Sequence, residues 1–441
     1  MLYIQEDFIP GKVKDRGIVV TAAGTGINLA LGVLYTWSIF KAAIKQSIDS
    51  GGAGAFSWNL TSLNDPYAVC CLVFAFSMII AGKCQDRMGP RVTAITGGVL
   101  VGLGFILISQ STAYLSWIIG FGFLVGIGIA FGYSSATPPA LKWFSPAKTG
   151  VIAGIVVAGF GLASVYIAPL AQYLMANYGL QGTMLIFGIS FMIVMCLLSL
   201  LLVNPPEGHV PKDFVERRAD TNENIVARAL FEEKNFTPYE MIRTPTFWML
   251  WLMYFVSAGA GLMVIGSVAG MAKSSMGESA FLAVVILAIG NAGGRVVAGI
   301  VSDRIGRSMT LAGMLMFQAL LMFAAVPVIG TGTAHAPLLV ILATFIGFNY
   351  GANLALFPSF TKDYWGMKNF GVNYGIMFTA WGVGGFVMSR TSQALAAGNN
   401  SFTASFLIAG ILLVVGIFFS FLLKDSHEEP KEAAQPLKTA T

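Results

Sequence analysis

An eight-residue pattern, G-x-x-x-D-R-x-G, occurs twice in this chain, once from Gly82 to Gly89 and again from Gly299 to Gly306. Each copy closes a long apolar stretch, and the two aspartates, Asp86 and Asp303, lie roughly half the chain apart. A repeat at that period points to two membrane halves built alike, the plan of many secondary transporters. One copy alone is a weak signal. Two copies at matching places in the count of apolar stretches are a strong one.

The 441 residues are 56% hydrophobic and only 11% charged, where soluble domains carry about 25% charged residues. That composition belongs to an integral membrane protein. A helix that spans the bilayer needs about 20 mainly apolar residues. Twelve stretches qualify: 17–41, 64–82, 92–110, 116–137, 149–174, 182–203, 246–271, 280–301, 309–330, 337–357, 371–397 and 401–423. The first follows Lys12, Lys14 and Arg16. It is too long for a signal-peptide core and lacks a convincing cleavage site, so it is read as the first span. The predicted fold is an all-α membrane protein of twelve transmembrane helices in two pseudo-symmetric six-helix halves. Residues 17–203 and 246–423 form the halves, 204–245 the loop between them, and 1–16 and 424–441 the termini.

Lysine and arginine near the span ends set the orientation. Segments on the N-terminal side of the membrane hold 21 of the 26 Lys and Arg, and the opposite loops hold Lys41, Lys45 and Lys273. Both termini and the central loop are therefore expected in the cytoplasm, with the chain in the plasma (inner) membrane. The asymmetry accounts for the net charge of +5 and gives no reason to invoke nucleic acid. Cys70, Cys71, Cys84 and Cys196 show no ligand spacing or disulfide framework, and His209, His335 and His427 fall in loops or the tail. No metal site and no cofactor are expected.

The only long polar segment begins Asn204-Pro205-Pro206 and carries Arg217, Arg218, Glu232, Glu233 and Lys234. It reads as a solvated linker, with room for a short surface helix over 224–233. The tail from Lys424 has the composition of a disordered segment. Glycine is abundant, as in Gly120, Gly122, Gly126, Gly128 and Gly132 of the fourth span and Gly150, Gly154, Gly159 and Gly161 of the fifth. A dinucleotide-binding loop needs a preceding strand and a polar phosphate environment. These glycines instead fit helices that approach closely and slide or bend.

Few polar groups fall inside the spans. Arg295, eight residues before Asp303, lies well inside the eighth. An arginine at a helix centre costs about 2.5–3.5 kcal/mol on insertion scales, so it normally faces a cavity and has a partner. No acid lies deep in any span; Asp65 and Glu278 sit near outer ends. An anionic substrate would supply the missing counter-ion, through the bidentate geometry a guanidinium offers a carboxylate. The competing reading is that Arg295 snorkels to the cytoplasmic face or pairs with backbone carbonyls. Asn291 stands four residues earlier on the same helix face and can orient the guanidinium or bind a substrate oxygen. Tyr35, Tyr133, Tyr350 and Trp381 lie away from most of the interfaces where aromatic belts form. Each has either a substrate contact or a structural role. Arg390 falls late in the eleventh span, where snorkelling or an outer contact suits it. Lys362 and Lys368 read as interfacial anchors.

The repeated pattern resembles the loop signature of the major facilitator superfamily, which falls between helices 2 and 3 and between helices 8 and 9. Other segments resemble its oxalate/formate antiporter family, a branch related to the monocarboxylate transporters. They are Gly32 to Phe40, Pro139 to Phe144, Asn373 to Gly382, and the run from Asn291 through Gly294 to Arg295. The resemblance implies twelve helices, a central site between the halves, and alternating access to a small carboxylate. It also implies that Arg295 stands at the family's carboxylate anchor. Two departures matter. The oxalate carrier has a lysine in helix 11 where this chain has Trp381, so a dianion would meet one buried cation, which favours a monoanion. The animal monocarboxylate carriers place an aspartate where this chain has Asn291, and a lysine in helix 1, which here has none before Lys41. Their proton-coupling scheme cannot be copied over.

The sequence thus predicts a secondary transporter, with no enzyme activity, for lactate, pyruvate, formate or acetate. Arg295 binds the carboxylate, Asn291 helps hold it, Tyr35, Tyr133 and Tyr350 supply hydroxyls, and Trp381 shapes the pocket. Asp86, Arg87, Arg91, Asp303, Arg304 and Arg307 would hold the cytoplasmic ends together in the outward-facing state. Transport would be proton symport or anion exchange, by a monomer in the lipid bilayer whose other partners are the small carboxylate and, for symport, protons. Rival readings are a dicarboxylate exchanger, a drug/proton antiporter, which usually wants a buried acid, and a carboxylate-binding membrane sensor.

Overall fold

A computed structural model describes residues 15–52, 54–206, 209, 235–276, 280–329, 336–399 and 403–423. The surface helix expected over 224–233, Glu278, His335, His427, residues 1–14 and the tail 424–441 lie outside the described residues.

Helices make up the membrane-spanning structure. They are α1 (Gly17–Ser50), α2 (Asp65–Met88), α3 (Pro90–Ser109) and α4 (Tyr114–Trp143). Next comes one run, Thr149–Ser199, broken only at Gly179, where φ is 68°. Its arms are α5 (149–178) and α6 (180–199). The second half contains α7 (Pro245–Met276), α8 (Ala280–Ile305), α9 (Arg307–Ile329), α10 (Ala336–Trp365), α11 (Phe370–Asn399) and α12 (Thr403–Phe421). Among the described residues, ten helices are long and apolar enough to cross a membrane. The bent run counts once among them, and α11 completes the twelve.

Most helices outrun their apolar stretches. The 24 residues of α2 extend about 36 Å at 1.5 Å per residue, beyond a hydrocarbon core of about 30 Å. Continuing the helix keeps its backbone groups paired, so it ends where a residue takes a left-handed conformation. That residue is Gly89 after α2 (φ 83°) and Gly306 after α8 (φ 91°). Glycine adopts positive φ without a Cβ clash, and Pro90 can open α3 because the first helical position needs no N–H donor. This corrects the reading of the repeated pattern as a loop. Asp86, Arg87, Asp303 and Arg304 lie in the last turns of helices, and the turn itself is one glycine long.

Two helices in the first half depart from α geometry. In α1, Gly32–Thr36 tightens to 3₁₀ coiling, and in α4, Ile118–Val125 widens to π coiling. Such segments recur where a helix is bent for function. The glycine-rich face of α4 packs closely on α3. A Cβ on Gly97 would stand 2.7 Å from the Gly128 carbonyl oxygen, so these backbones meet almost without side chains between them. At the start of α7, Thr237 and Glu240 form a capping box on the short helix Pro238–Ile242.

Candidate functional site

Arg295 lies on α8 at the contact of the two halves, with 0% of its surface exposed. Its Nε donates to Asn291 Oδ1 at 3.0 Å, one helical turn away on the same face. Its Nη1 donates to the carbonyl of Val157 on α5, in the opposite half. Its Nη2 stands 3.5 Å from the hydroxyl of Tyr35 on α1. The Phe160 ring faces the guanidinium, 5.9 Å from carbon to ring centre. All of these partners are neutral, and none of the described residues gives Arg295 an acidic one. A buried cation is tolerated only when its donors are met. Here carbonyls, a hydroxyl and an aromatic face meet them. Gly161 keeps the space open, since a Cβ there would come within 3.3 Å of both Arg295 Nε and Asn291 Oδ1.

From the guanidinium a chain of polar contacts crosses the molecule. The hydroxyls of Tyr35 and Tyr350 hydrogen-bond at 2.8 Å, and Trp381 Nε1 donates to the Tyr350 hydroxyl at 2.8 Å. Four helices contribute: α8, α1, α10 and α11. The 3₁₀ turn of α1 carries Tyr35, whose ring meets Phe160 edge-on at 5.1 Å. Tyr35, Phe74, Tyr133, Phe160, Arg295, Leu354, Phe378 and Trp381 line a cavity of about 10 Å³, roughly the room for one water. The site is closed around its arginine. Arg295, Asn291, Tyr35, Tyr350 and Trp381 thus form one network. Tyr133 lines the cavity, but its hydroxyl takes no part in it.

A second set of contacts joins the halves at the face bearing the repeated pattern, and it is two-fold. The Asp86 carboxylate on α2 accepts from the backbone N–H groups of Gly371 and Val372, both at 3.0 Å. The Asp303 carboxylate on α8 accepts from Gly150 and Val151, both at 2.8 Å. Each aspartate caps the N-terminus of a helix in the other half, α11 or α5, where unpaired N–H groups and the positive end of the helix dipole favour an anion. The first glycine of each copy completes the contact. Gly82 meets the backbone of Gly371, and Gly299 meets that of Gly150, so closely that a Cβ at either position would overlap the facing main chain.

The arginines of the pattern do not share this work. Arg87 and Arg304 are exposed. Arg91 donates to the Leu202 carbonyl at 3.0 Å, within its own half. Arg307 is buried and holds Asp303 at 2.5 Å and Asp363 at 2.9 Å, again within its own half. Arg307 therefore fixes the carboxylate that reaches across, while the aspartates make the crossing. Carboxylates suit that task because one group accepts from two backbone donors. A side chain at the helix surface with no facing acceptor stays in solvent.

Sequence reasoning missed several participants. Lys362, read as an interfacial anchor, donates from Nζ to Thr149 Oγ1 at 2.7 Å, joining the end of α10 to the start of α5. Asp363 escaped notice beside it. The repeated glycines Gly82 and Gly299 were visible as part of the pattern, and Gly150 stood among the glycines read as admitting close helix approach, but nothing in the sequence pairs Gly299 with Gly150 or Gly82 with Gly371. Arg390 is exposed and lies 5.7 Å from the Phe386 ring centre.

Residues 17–389 and 298–440 match the family model of the Major Facilitator Superfamily. The uncharacterized MFS-type transporter YhjX of Escherichia coli strain K12 is 31% identical over 378 residues, covering 83% of this chain and 85% of that protein. The oxalate:formate antiporter of Oxalobacter formigenes is 27% identical, covering 91% of this chain and 90% of its own. Monocarboxylate transporter 11 of Homo sapiens is 25% identical, covering 91% and 82%. Among solved structures, the proton:xylose symporter XylE bound to 6-bromo-6-deoxy-D-glucose aligns with a TM-score of 0.68 at 15% identity, covering 92% of this chain and 96% of that one. The transporter FucP in its outward conformation aligns with a TM-score of 0.64 at 14% identity, covering 92% and 99%. At those identities the likeness is one of fold.

Proposed function

We propose that this chain, which belongs to the Major Facilitator Superfamily, carries small monocarboxylate anions by alternating access, with Arg295 as the anchor of the carboxylate. One observation carries the reading. A fully buried arginine at the contact of the two halves is held only by neutral groups, and those groups come from both halves. An incoming carboxylate offers the guanidinium two charged oxygens, which outcompete the Val157 carbonyl and the Tyr35 hydroxyl. Asn291 keeps the guanidinium aimed. Tyr35 and Tyr350 turn their hydroxyls to the bound anion, Trp381 walls the site beside them, and Tyr133 lines it from α4.

Arg295 is the one charged residue lining the closed cavity, so charge balance is reached with a single negative charge. That favours lactate, pyruvate, formate or acetate over a dianion, which would leave one carboxylate against Trp381. The relatives named for oxalate and formate and for monocarboxylates support the chemical class. Binding neutralises the centre and lets the halves rock, while the clasps of Asp86 and Asp303 close the face opposite the open one. No acid lines the cavity, so a proton-coupled cycle would carry its proton on the substrate or on water, and exchange of one carboxylate for another needs no proton. In this reading the protein is a monomer in the plasma (inner) membrane. Both termini and the clasped face are cytoplasmic.

The test is uptake of labelled lactate, pyruvate, formate and acetate into liposomes holding the purified protein, with and without an inward proton gradient or internal carboxylate. Arg295→Gln should abolish uptake while the protein still unfolds as one cooperative unit near the wild-type temperature. Normal affinity in that variant would sink the anchor.

A further inference from the structure

We propose that Tyr133, Tyr254 and Tyr374 form a second carboxylate-binding site, lying between Arg295 and the cytoplasmic face. The proposal rests on the reading of Arg295 as the carboxylate anchor.

The three tyrosines come from α4, α7 and α11, and so from both halves. They are 3%, 0% and 4% exposed. Their rings gather around that of Phe378, and none of the three hydroxyls closes a hydrogen bond. Nearly all buried hydroxyls find a partner, because an unmade bond forfeits the solvation lost on burial. Three orphaned hydroxyls in one place, each nine-tenths buried or more, are a set of donors waiting for an acceptor.

Their position follows from α11. Gly371 and Val372 hold the Asp86 clasp at its start. Tyr374 comes next, then Phe378 one turn further, then Trp381. Seven residues separate Tyr374 from Trp381, about 10 Å along the helix. Phe378 is the partition. Its ring stacks on Trp381 at 5.0 Å on the side of the anchor. It also meets Tyr133 at 5.5 Å, Tyr254 at 6.3 Å and Tyr374 at 5.8 Å. A ligand travelling from Arg295 to the cytoplasm passes Phe378 and then the three hydroxyls, before the clasp.

The chemistry selects an anion. Phenolic O–H groups donate to carboxylate oxygens without bringing a charge of their own. Arg295 lines the adjoining cavity together with Tyr133 and Phe378, and its positive charge opposes a cation there. Neutral donors hold a carboxylate more weakly than a guanidinium does. A substrate handed from Arg295 to the tyrosines is therefore one step nearer release. As the cytoplasmic face opens, Tyr133 moves off with its half and the site comes apart.

The experiment uses Tyr254→Phe, Tyr374→Phe and the double variant, each of which keeps its ring. The purified full chain is placed in liposomes in known orientation, and KM for labelled lactate, pyruvate, formate and acetate is measured from either side. Thermal unfolding is followed in parallel. The double variant should raise KM for substrate offered on the cytoplasmic side at least fivefold and leave the opposite KM within twofold. Unchanged values on both sides, or equal shifts that track a lower unfolding temperature, would reduce the tyrosines to packing and leave the anchor standing. Absence of any Arg295-dependent uptake would sink anchor and second site together.

Discussion

Tyr35 and Tyr350 join their hydroxyls at 2.8 Å, one from each half of the molecule. The bond lies between the guanidinium on one side and the Trp381 indole on the other, so the two phenols differ in what their loss would expose. Tyr35→Phe removes a group 3.5 Å from Arg295 Nη2 and leaves Tyr350 still served by Trp381. We expect carboxylate affinity to fall about five- to tenfold, the worth of one net hydrogen bond at about 1–1.5 kcal/mol, with little change in stability. Tyr350→Phe strands the buried indole N–H, and a stranded donor costs about 1–3 kcal/mol. That variant should lose thermal stability as well as affinity. Titration calorimetry with a carried carboxylate and thermal unfolding, run on both variants, check the contrast. Equal loss of stability in the two would contradict it.

The clasps predict a shift of conformational balance. Each aspartate makes two charge-assisted bonds to a helix start in the other half, a kind of contact worth about 1.5–3 kcal/mol. Asp86→Asn and Asp303→Asn keep one acceptor oxygen but lose the charge. Either should move the population toward a state open at the clasped face by about tenfold or more. Spin labels on cysteines at the exposed positions Arg87 and Arg304, with the four native cysteines removed, report the separation of the halves at that face. Asp303→Asn should have the larger effect, because it also takes a partner from Arg307. Distances unchanged in both variants would show that the clasps do not hold the closed state.

How much of this was legible in the sequence depends on whether the physics is local. Twelve spans, two halves and an arginine buried in the eighth span follow from hydropathy and from the rarity of charge in a bilayer. Asn291 beside Arg295 follows from helical periodicity, and the bond is present at 3.0 Å. The partners that come from the other half were not legible. Val157 offers a backbone carbonyl, Gly371 and Val372 offer backbone N–H groups, and no side-chain type announces any of them. For the same reason the pattern's arginines read as joining groups alongside its aspartates, although the contacts across the halves belong to the aspartates. A charged side chain looks functional in a sequence, while a glycine signals close packing without naming the helix it meets. Tyr254 carries no signal of its own because a tyrosine inside an apolar span reads as packing until its hydroxyl is found buried beside two others.

The glycine contacts give a prediction independent of charge. Gly299 faces Gly150 so closely that a Cβ would overlap its backbone. Gly299→Val should therefore wedge the clasped face open with both aspartates intact. We expect lost transport, a folded helical protein by circular dichroism, and the same increased label separation as in the aspartate variants. Gly82→Val should act likewise through Gly371. A closed face in the valine variants would mean that the helices can pass each other without this contact.

Asn291→Asp tests the electrostatic logic of the whole site. The amide oxygen of Asn291 accepts from Arg295 Nε at 3.0 Å and carries no charge, so the guanidinium keeps its positive charge for a substrate. An ionised aspartate at the same place would satisfy the guanidinium as an internal ion pair and compete directly with an incoming carboxylate. At neutral pH the variant should bind carboxylate at least tenfold more weakly than wild type. As pH falls and the introduced carboxyl takes up a proton, the pair dissolves and the arginine becomes available again. Affinity in the variant should then recover on acidification, whereas wild type has no acid in the cavity to produce such a gain. Each carboxylate bound would bring one proton with it, and uptake into liposomes should become dependent on an inward proton gradient even if the wild type runs as an exchanger. Calorimetry in buffers of different ionisation enthalpy counts the protons. A variant that binds as tightly as wild type at neutral pH, with no proton uptake, would show that Arg295 is not where the substrate's charge is met.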